Sequence, residues 1–363
     1  MKLPVHGGNL AWAAALAGCP PSAILDFSAS ISPLGPPKSA LAAIESQLDN
    51  LKHYPDPEYS DLRSALSHFH QLPPEWILPG NGSAELLSLA GRELASLVAT
   101  ALISPAFGDY YRSLAAHNAK VLEFPLSLVI GQWSFVTKDL SLILDNRQRT
   151  KDKGLLLNNP HNPTGRLFSR EAILPYLKEF ALVVVDEAFM DFLPPDREQS
   201  LINVVEEHPN LVILRSLTKF YSLPGLRLGY AIAHPERLRR WQLWRDPWPV
   251  NTLAEAAAIA VLQDREFQEQ TWAWLPSARN QLFQGLASLP RLQPLPSAAN
   301  FLLVESQQSS SQLQQKLLKH HQILIRDCLS FSQLGDRYFR LAVRSLSDNE
   351  RLLKAMKEVL SKE

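Results

Sequence analysis

The residues best placed to do chemistry lie in Arg215-Ser216-Leu217-Thr218-Lys219 and in Pro224-Gly225-Leu226-Arg227-Leu228-Gly229-Tyr230. Lys219 stands just beyond the apolar run Leu211-Val212-Ile213-Leu214, which reads as a buried strand, and Arg227 follows eight residues later. A lysine amine in that position suits a Schiff base to a phosphorylated aldehyde, with Ser216, Thr218 and Arg227 available to hold a phosphate dianion. A solvated lysine at a strand end is the plainer alternative. Asp186 closes another apolar run, residues 182–185, immediately before Glu187-Ala188-Phe189. A carboxylate beside such a lysine can pair with a protonated pyridine nitrogen and keep the ring an electron acceptor. It can equally cap the segment that follows.

Three other stretches carry groups of the right kind. Asn158-Asn159-Pro160-His161-Asn162-Pro163-Thr164-Gly165 forces an ordered turn after an apolar run, and the Asn162 amide there could meet a phenolic oxygen. Gly80-Asn81-Gly82-Ser83-Ala84-Glu85 opens a helix, whose first backbone N–H groups form a ready anion site. Phe107 sits in a loop between strand and helix, where it can stack on an aromatic ring or simply belong to the core.

The elements that must position these residues follow from hydrophobic pattern. Short apolar runs at residues 97–103, 121–124, 155–157, 182–185, 212–214 and 228–232 alternate with helical patterns at 83–96, 109–118 and 170–180. That alternation predicts an α/β fold with a mostly parallel, doubly wound sheet, whose ligands gather at the carboxyl ends of the strands. A helical region over 253–287 then precedes strands at 301–304, 323–326 and 339–343, with helices at 312–320 and 348–360. This reads as a smaller α+β domain, giving a large domain over 46–250 and a small one from 1–45 and 251–363. Near the N-terminus a short helix from Leu10 to Ala17, closed by Gly18, is expected. Leu16-Ala17-Gly18-Cys19 looks like a lipoprotein cleavage site, but the preceding residues lack a basic start and an unbroken apolar core.

The 363 residues exceed one ordinary core, so two domains are expected. Lysine plus arginine equals aspartate plus glutamate at 36 each, which gives no reason to expect nucleic acid or an acidic membrane as partner. Cys19 and Cys328 have no metal-ligand spacing and fit two reduced thiols in a cytoplasmic protein. No apolar stretch reaches the ~18–20 residues that span a bilayer.

Taken in order, the Gly-Asn-Gly-Ser helix start, aromatic loop, Asn-Pro-Thr-Gly, Asp-Glu-Ala, Ser-x-x-Lys and Gly-x-Arg-x-Gly elements resemble the fold-type I enzymes that use pyridoxal 5′-phosphate. The resemblance implies that Lys219 bonds the cofactor and Asp186 pairs with its ring nitrogen. It further implies that Asn162 binds O3′, Phe107 stacks on the ring, and Ser83, Ala84, Ser216 and Arg227 hold the phosphate. Tyr54, in His53-Tyr54-Pro55-Asp56, is similar to the tyrosine that reaches the phosphate of a neighbouring subunit, which implies a homodimer with shared active sites.

Within that group the chain resembles the threonine-phosphate decarboxylases of cobalamin biosynthesis nearly end to end. The match is carried by His6-Gly7-Gly8-Asn9, Leu25-Asp26-Phe27-Ser28-Ala29, the Lys219 region, Ile323-Leu324-Ile325-Arg326 and Tyr338-Phe339-Arg340. It implies a phosphorylated amino acid as substrate, with Arg340 on the α-carboxylate and Arg326 on the phosphate, assisted by the His6-Gly7-Gly8 arm. Without the resemblance, either arginine reads as half of a salt bridge on a strand. Phe189 replaces the tyrosine that aminotransferases commonly carry after Asp-Glu-Ala, which favours decarboxylation over the alternative, a histidinol-phosphate aminotransferase. A regulator that binds the cofactor without turnover would need an attached DNA-binding module, and no basic stretch provides one. The chain departs from the family at Ser30, a position expected to touch substrate and usually occupied by asparagine.

Overall fold

The computed structural model describes residues 6–126, 136–137, 150–331 and 333–361. Its main body is a seven-stranded sheet of β1 (Ile77–Asn81), β2 (Thr100–Ser104), β3 (Val121–Pro125), β4 (Gly154–Asn158), β5 (Leu182–Asp186), β6 (Leu211–Ser216) and β7 (Leu228–Ala233). Their spatial order is β1-β7-β6-β5-β4-β2-β3. Strands β3, β2, β4, β5 and β6 run parallel, and β7 runs antiparallel to both of its neighbours.

Both faces of this sheet are covered, which is why its strands read as unbroken apolar runs. Side chains alternate across it: Val183, Val185, Leu211 and Ile213 enter one core, while Leu182, Val184, Val212 and Leu214 enter the other. Strand β1 was not legible as a strand because it holds Pro79 and Gly80; it lies at the sheet edge, where proline is tolerated.

Register brings the reactive residues together. Asn158 lies beside Asp186 at the ends of β4 and β5, and Lys219 follows within one helical turn of the end of β6. The reversed strand β7 pairs Gly229 with Ser216 and Leu228 with Asn81, so Arg227 and the start of helix Gly82–Leu94 arrive at the same end.

A second sheet contains β8 (Leu292–Pro294), β9 (Phe301–Ser306), β10 (Arg326–Asp327) and β11 (Tyr338–Ala342), in the antiparallel order β8-β9-β11-β10. The single strand expected over 323–326 is divided: Ile323–Leu324 pairs with Leu25–Asp26, and Arg326 begins β10. The helical region 253–287 also divides, because the Asp264 carboxylate accepts the Phe267 N–H and caps a new helix, Arg265–Ala287. The helix Leu10–Ala17 ends at Gly18 in the left-handed conformation. We propose the domain division 46–250 against 1–45 with 251–363, supported by these two sheets and by the pairing of Leu25–Asp26 with the second part. Helix Thr252–Gln263 packs on helices Lys38–Ser46 and Ser60–His70 and so ties the parts together. Among the described residues no helix is long and apolar enough to cross a membrane.

Beneath β5 and β6 lies a buried ion cluster. Arg215, only 2% exposed, meets Glu187 at 3.0 Å and also Asp191. Replacing Arg215 with methionine strands the wholly buried Glu187 carboxylate, so a loss of about 3–5 kcal/mol is expected in urea unfolding. A loss below about 1 kcal/mol, the range of a surface pair, would contradict this reading of the cluster.

Candidate active site

A cavity of about 340 Å³ opens where the carboxyl ends of β4, β5 and β6 face the second sheet. Asn158, Asp186, Ser216 and Lys219 line one side, and Arg326 and Arg340 the other. A cleft of about 1120 Å³ lies elsewhere, against helix Ser60–His70. It holds no lysine, and the Arg215 guanidinium within it is already taken by carboxylates.

One end of the smaller cavity is built for a phosphate. Ser83 and Ala84 line it at the start of helix Gly82–Leu94, where N–H groups without helical partners and the helix dipole favour an anion. Two glycines permit the approach. Gly82 has φ +71, and a Cβ there would come within 2.7 Å of Arg227 Nη2; a Cβ on Gly229 would come within 2.5 Å of the Ser83 nitrogen. The Ser216 and Thr218 hydroxyls, 2.7 Å apart, complete the cup with Arg227.

Lys219 stands between this cup and the arginines. Burial pushes its amine down to about 8, Arg227 and Arg340 adding to the effect while Asp186 and Asp109 oppose it. Burial pushes the Asp186 carboxyl up, but three partners favour its ionised form. The Tyr110 hydroxyl donates to Oδ2 at 2.8 Å, the Ala188 N–H donates to Oδ1 at 3.0 Å, and Lys219 supplies charge. Tyr110 escaped the sequence reading. Its signal was its spacing, three residues after Phe107, which puts both at the start of helix Gly108–Ala116 with their rings edge to face at 5.7 Å.

Phe107, Asn162 and Phe189 all line the cavity. The Asn162 Oδ1 accepts a hydrogen bond from Arg340 Nη1. Phe189 meets the ring of Phe301 edge on at 5.0 Å, and the Arg340 guanidinium lies 5.0 Å over that same ring.

Arg326 and Arg340 are opposite partners on β10 and β11, and both are buried, at 4% and 9% exposure. Like charges directly opposite on a ladder are destabilising, so the pair calls for anions. Burial, with Arg326 adding to it, pushes Arg340 down to about 10. Its Nη2 donates to the Ser28 carbonyl at 3.3 Å, and its Nε has no hydrogen-bond partner among the described residues. Burial likewise lowers Arg326, with Asp327 opposing, and its Nη2 donates to the Ser330 hydroxyl at 2.6 Å.

The remaining expected residues divide. His6, Gly7 and Ser30 line the cavity. Gly8 stands behind the lining, its N–H donating to the Ser28 hydroxyl at 2.8 Å. Tyr54 is outside the cavity, 79% exposed and 4.5 Å from the Trp248 ring.

A phosphate cup, an amine of lowered pKa, a buried carboxylate and the Phe107 ring together fit pyridoxal 5′-phosphate. A depressed amine must still lose its proton before it attacks an aldehyde. The rate of cofactor uptake by the apoprotein is therefore expected to rise about tenfold per pH unit up to about pH 8 and to flatten above it. A rise continuing to pH 10 would show an ordinary lysine. Tyr110→Phe removes one donor from Asp186, and equilibrium dialysis should find cofactor affinity reduced about tenfold. Unchanged affinity would assign that hydroxyl a packing role only.

Comparison with known proteins places this geometry in a family. The family model for aminotransferase class I and II matches residues 22–357. The threonine-phosphate decarboxylase of Salmonella typhimurium is 39% identical, over 98% of this chain and 96% of its own. A histidinol-phosphate aminotransferase of Mannheimia succiniciproducens is 32% identical, over 94% of this chain and 91% of its own. The crystal structure of histidinol-phosphate aminotransferase from Clostridium acetobutylicum superposes with a TM-score of 0.85 at 28% identity, covering 94% of this chain and all of the other. With the predicted α/β architecture and the cavity at its strand ends, this chain belongs to the class I and II aminotransferase family and has the fold-type I architecture.

Proposed function

We propose that this protein decarboxylates O-phospho-L-threonine, releasing (R)-1-aminopropan-2-yl phosphate and carbon dioxide in cobalamin biosynthesis. The observation that carries the reading is the opposed pair Arg326 and Arg340, facing Lys219 in one small cavity. Such a pair suits a substrate with two anionic groups near its amine. The 39% identity to a threonine-phosphate decarboxylase over nearly the whole chain supports the same substrate.

Pyridoxal 5′-phosphate, when bound, supplies the aldehyde that takes up the substrate's amine and a ring that accepts electrons as the Cα–carboxylate bond breaks. Ser83, Ala84, Ser216 and Arg227, with Thr218 beside them, hold its phosphate. Asp186, oriented by the Tyr110 hydroxyl and the Ala188 N–H, would pair with the ring nitrogen. Asn162 meets O3′, and Phe107 covers the ring. Arg340 takes the α-carboxylate and Arg326 the phosphate, with His6 and Gly7 beside them and Gly8 bracing that arm through Ser28. Holding both ends of the substrate decides which bond at Cα faces the electron-accepting ring. Phe189 offers no hydroxyl to O3′, which distinguishes the site from an aminotransferase with tyrosine there. Tyr54 would serve the phosphate site of a second copy, as expected of a cytoplasmic homodimer, and its exposure in the single chain suits that role.

The test uses purified protein loaded with cofactor. With O-phosphothreonine alone, carbon dioxide release is expected without any keto acid. Glutamate formed only from histidinol phosphate and 2-oxoglutarate would assign aminotransfer instead. Borohydride should fix the cofactor to the wild type and not to Lys219→Ala; a stable adduct on another lysine would remove Lys219 from its role.

A further inference from the structure

We propose that the Ser330 hydroxyl is a further ligand of the substrate's phosphate, donating to the same group that Arg326 holds. The inference rests on the reading of Arg326 as the phosphate arginine.

Ser330 stands on the loop 328–331, just after β10, and lines the cavity together with Arg326. Its Oγ lies 2.6 Å from Arg326 Nη2. A guanidinium carries donors only, so the hydroxyl oxygen accepts this bond and its own hydrogen stays uncommitted. No acceptor for that hydrogen is found among the described residues. Accepting from a cation also polarises the hydroxyl and makes it a stronger donor.

The loop fixes the hydroxyl in place although Ser330 itself is exposed. Cys328 and Phe331, on either side, are buried and pack with Leu295, Leu303 and Leu334. The Cys328 N–H donates to the Tyr338 carbonyl at 3.2 Å, and the Phe331 N–H closes a turn onto the Cys328 carbonyl at 2.9 Å. Ser330 is thereby held at the rim of the cavity, against the buried guanidinium.

The shape of a phosphate gives this hydroxyl a task. An arginine fork meets two oxygens of an anion in one plane, and a phosphate has a third. Arg326 already spends one N–H on Ser330, and the hydroxyl passes that bond on to an oxygen the fork does not reach. A neutral donor at this place does nothing for an amino acid that lacks the phosphate.

The experiment compares wild type, Ser330→Ala and Ser330→Thr, each loaded with cofactor, and repeats Ser330→Ala on an Arg326→Met background. Dissociation constants for O-phospho-L-threonine and L-threonine are read from the cofactor's absorption. An exposed serine tolerates alanine, so thermal unfolding of Ser330→Ala should match wild type. Phosphothreonine should bind Ser330→Ala about tenfold more weakly, with threonine within about twofold of wild type and Ser330→Thr restoring most of the loss. On the Arg326→Met background the same change should still cost phosphothreonine at least about threefold, because the hydroxyl acts on the ligand directly. A cost that vanishes there would make Ser330 only a support for Arg326 and overturn the proposal. So would equal weakening of both amino acids, no weakening of either, or Ser330→Thr as weak as Ser330→Ala. A wild type that does not prefer phosphothreonine to threonine overturns the reading of Arg326 and the proposal with it. Because only binding is read, a wild type that binds phosphothreonine but releases no carbon dioxide overturns the decarboxylase reading and leaves the role of Ser330 measurable.

Discussion

Two buried guanidinium groups facing each other across one pair of strands set the terms for this site. Neither Arg326 nor Arg340 could lie opposite the other at such low exposure without some balance of charge. Asp327 is 3.8 Å from Arg326, and Asn162 and Ser28 offer Arg340 neutral acceptors. Asp26 adds charge opposite Arg340, and a ligand with anionic groups would suit both guanidinium groups. Arg340, together with Arg227, adds to the burial that lowers the Lys219 amine, so one guanidinium of the opposed pair also acts on the lysine.

The sheet explains how this charge is brought to one place. Covering both faces with apolar layers leaves the strand ends as the accessible part, and register puts Asn158 beside Asp186 there, while Ser216 lies two residues past Leu214, the partner of Asp186. The one reversed strand, β7, returns Arg227 to that end, while Gly82 and Gly229 let the helix start close against it. The alternation that directs Asp186 and Ser216 into the cavity sends Glu187 and Arg215 to the other side, where they pair in the interior. Adjacent residues on two strands therefore divide the work between chemistry and stability.

Much of this was legible in the sequence because the signals were local. Lys219 after an apolar run, Asp186 at the end of another and the Gly-Ser helix start each announce a strand or helix terminus, and termini in a doubly wound sheet converge. What escaped depends on contacts distant in sequence. The Tyr110 bond to Asp186 spans 76 residues, and no periodicity reports it. The direct opposition of Arg326 and Arg340 depends on a register that two isolated arginines do not reveal. Strand β1 was hidden by Pro79 and Gly80, which are tolerated only because the strand is an edge. The break at Asp264 was written in the sequence as a cap residue, but a continuous helical pattern over 253–287 obscured it.

The most direct test of this account follows the carboxyl carbon of O-phospho-L-threonine labelled at that position, in a single turnover on the cofactor-loaded protein without a keto acid. The account predicts that the label leaves as carbon dioxide in wild type, and that Arg326→Met binds the substrate at least about tenfold more weakly. Label retained in a keto acid while the cofactor gains the amino group would contradict it.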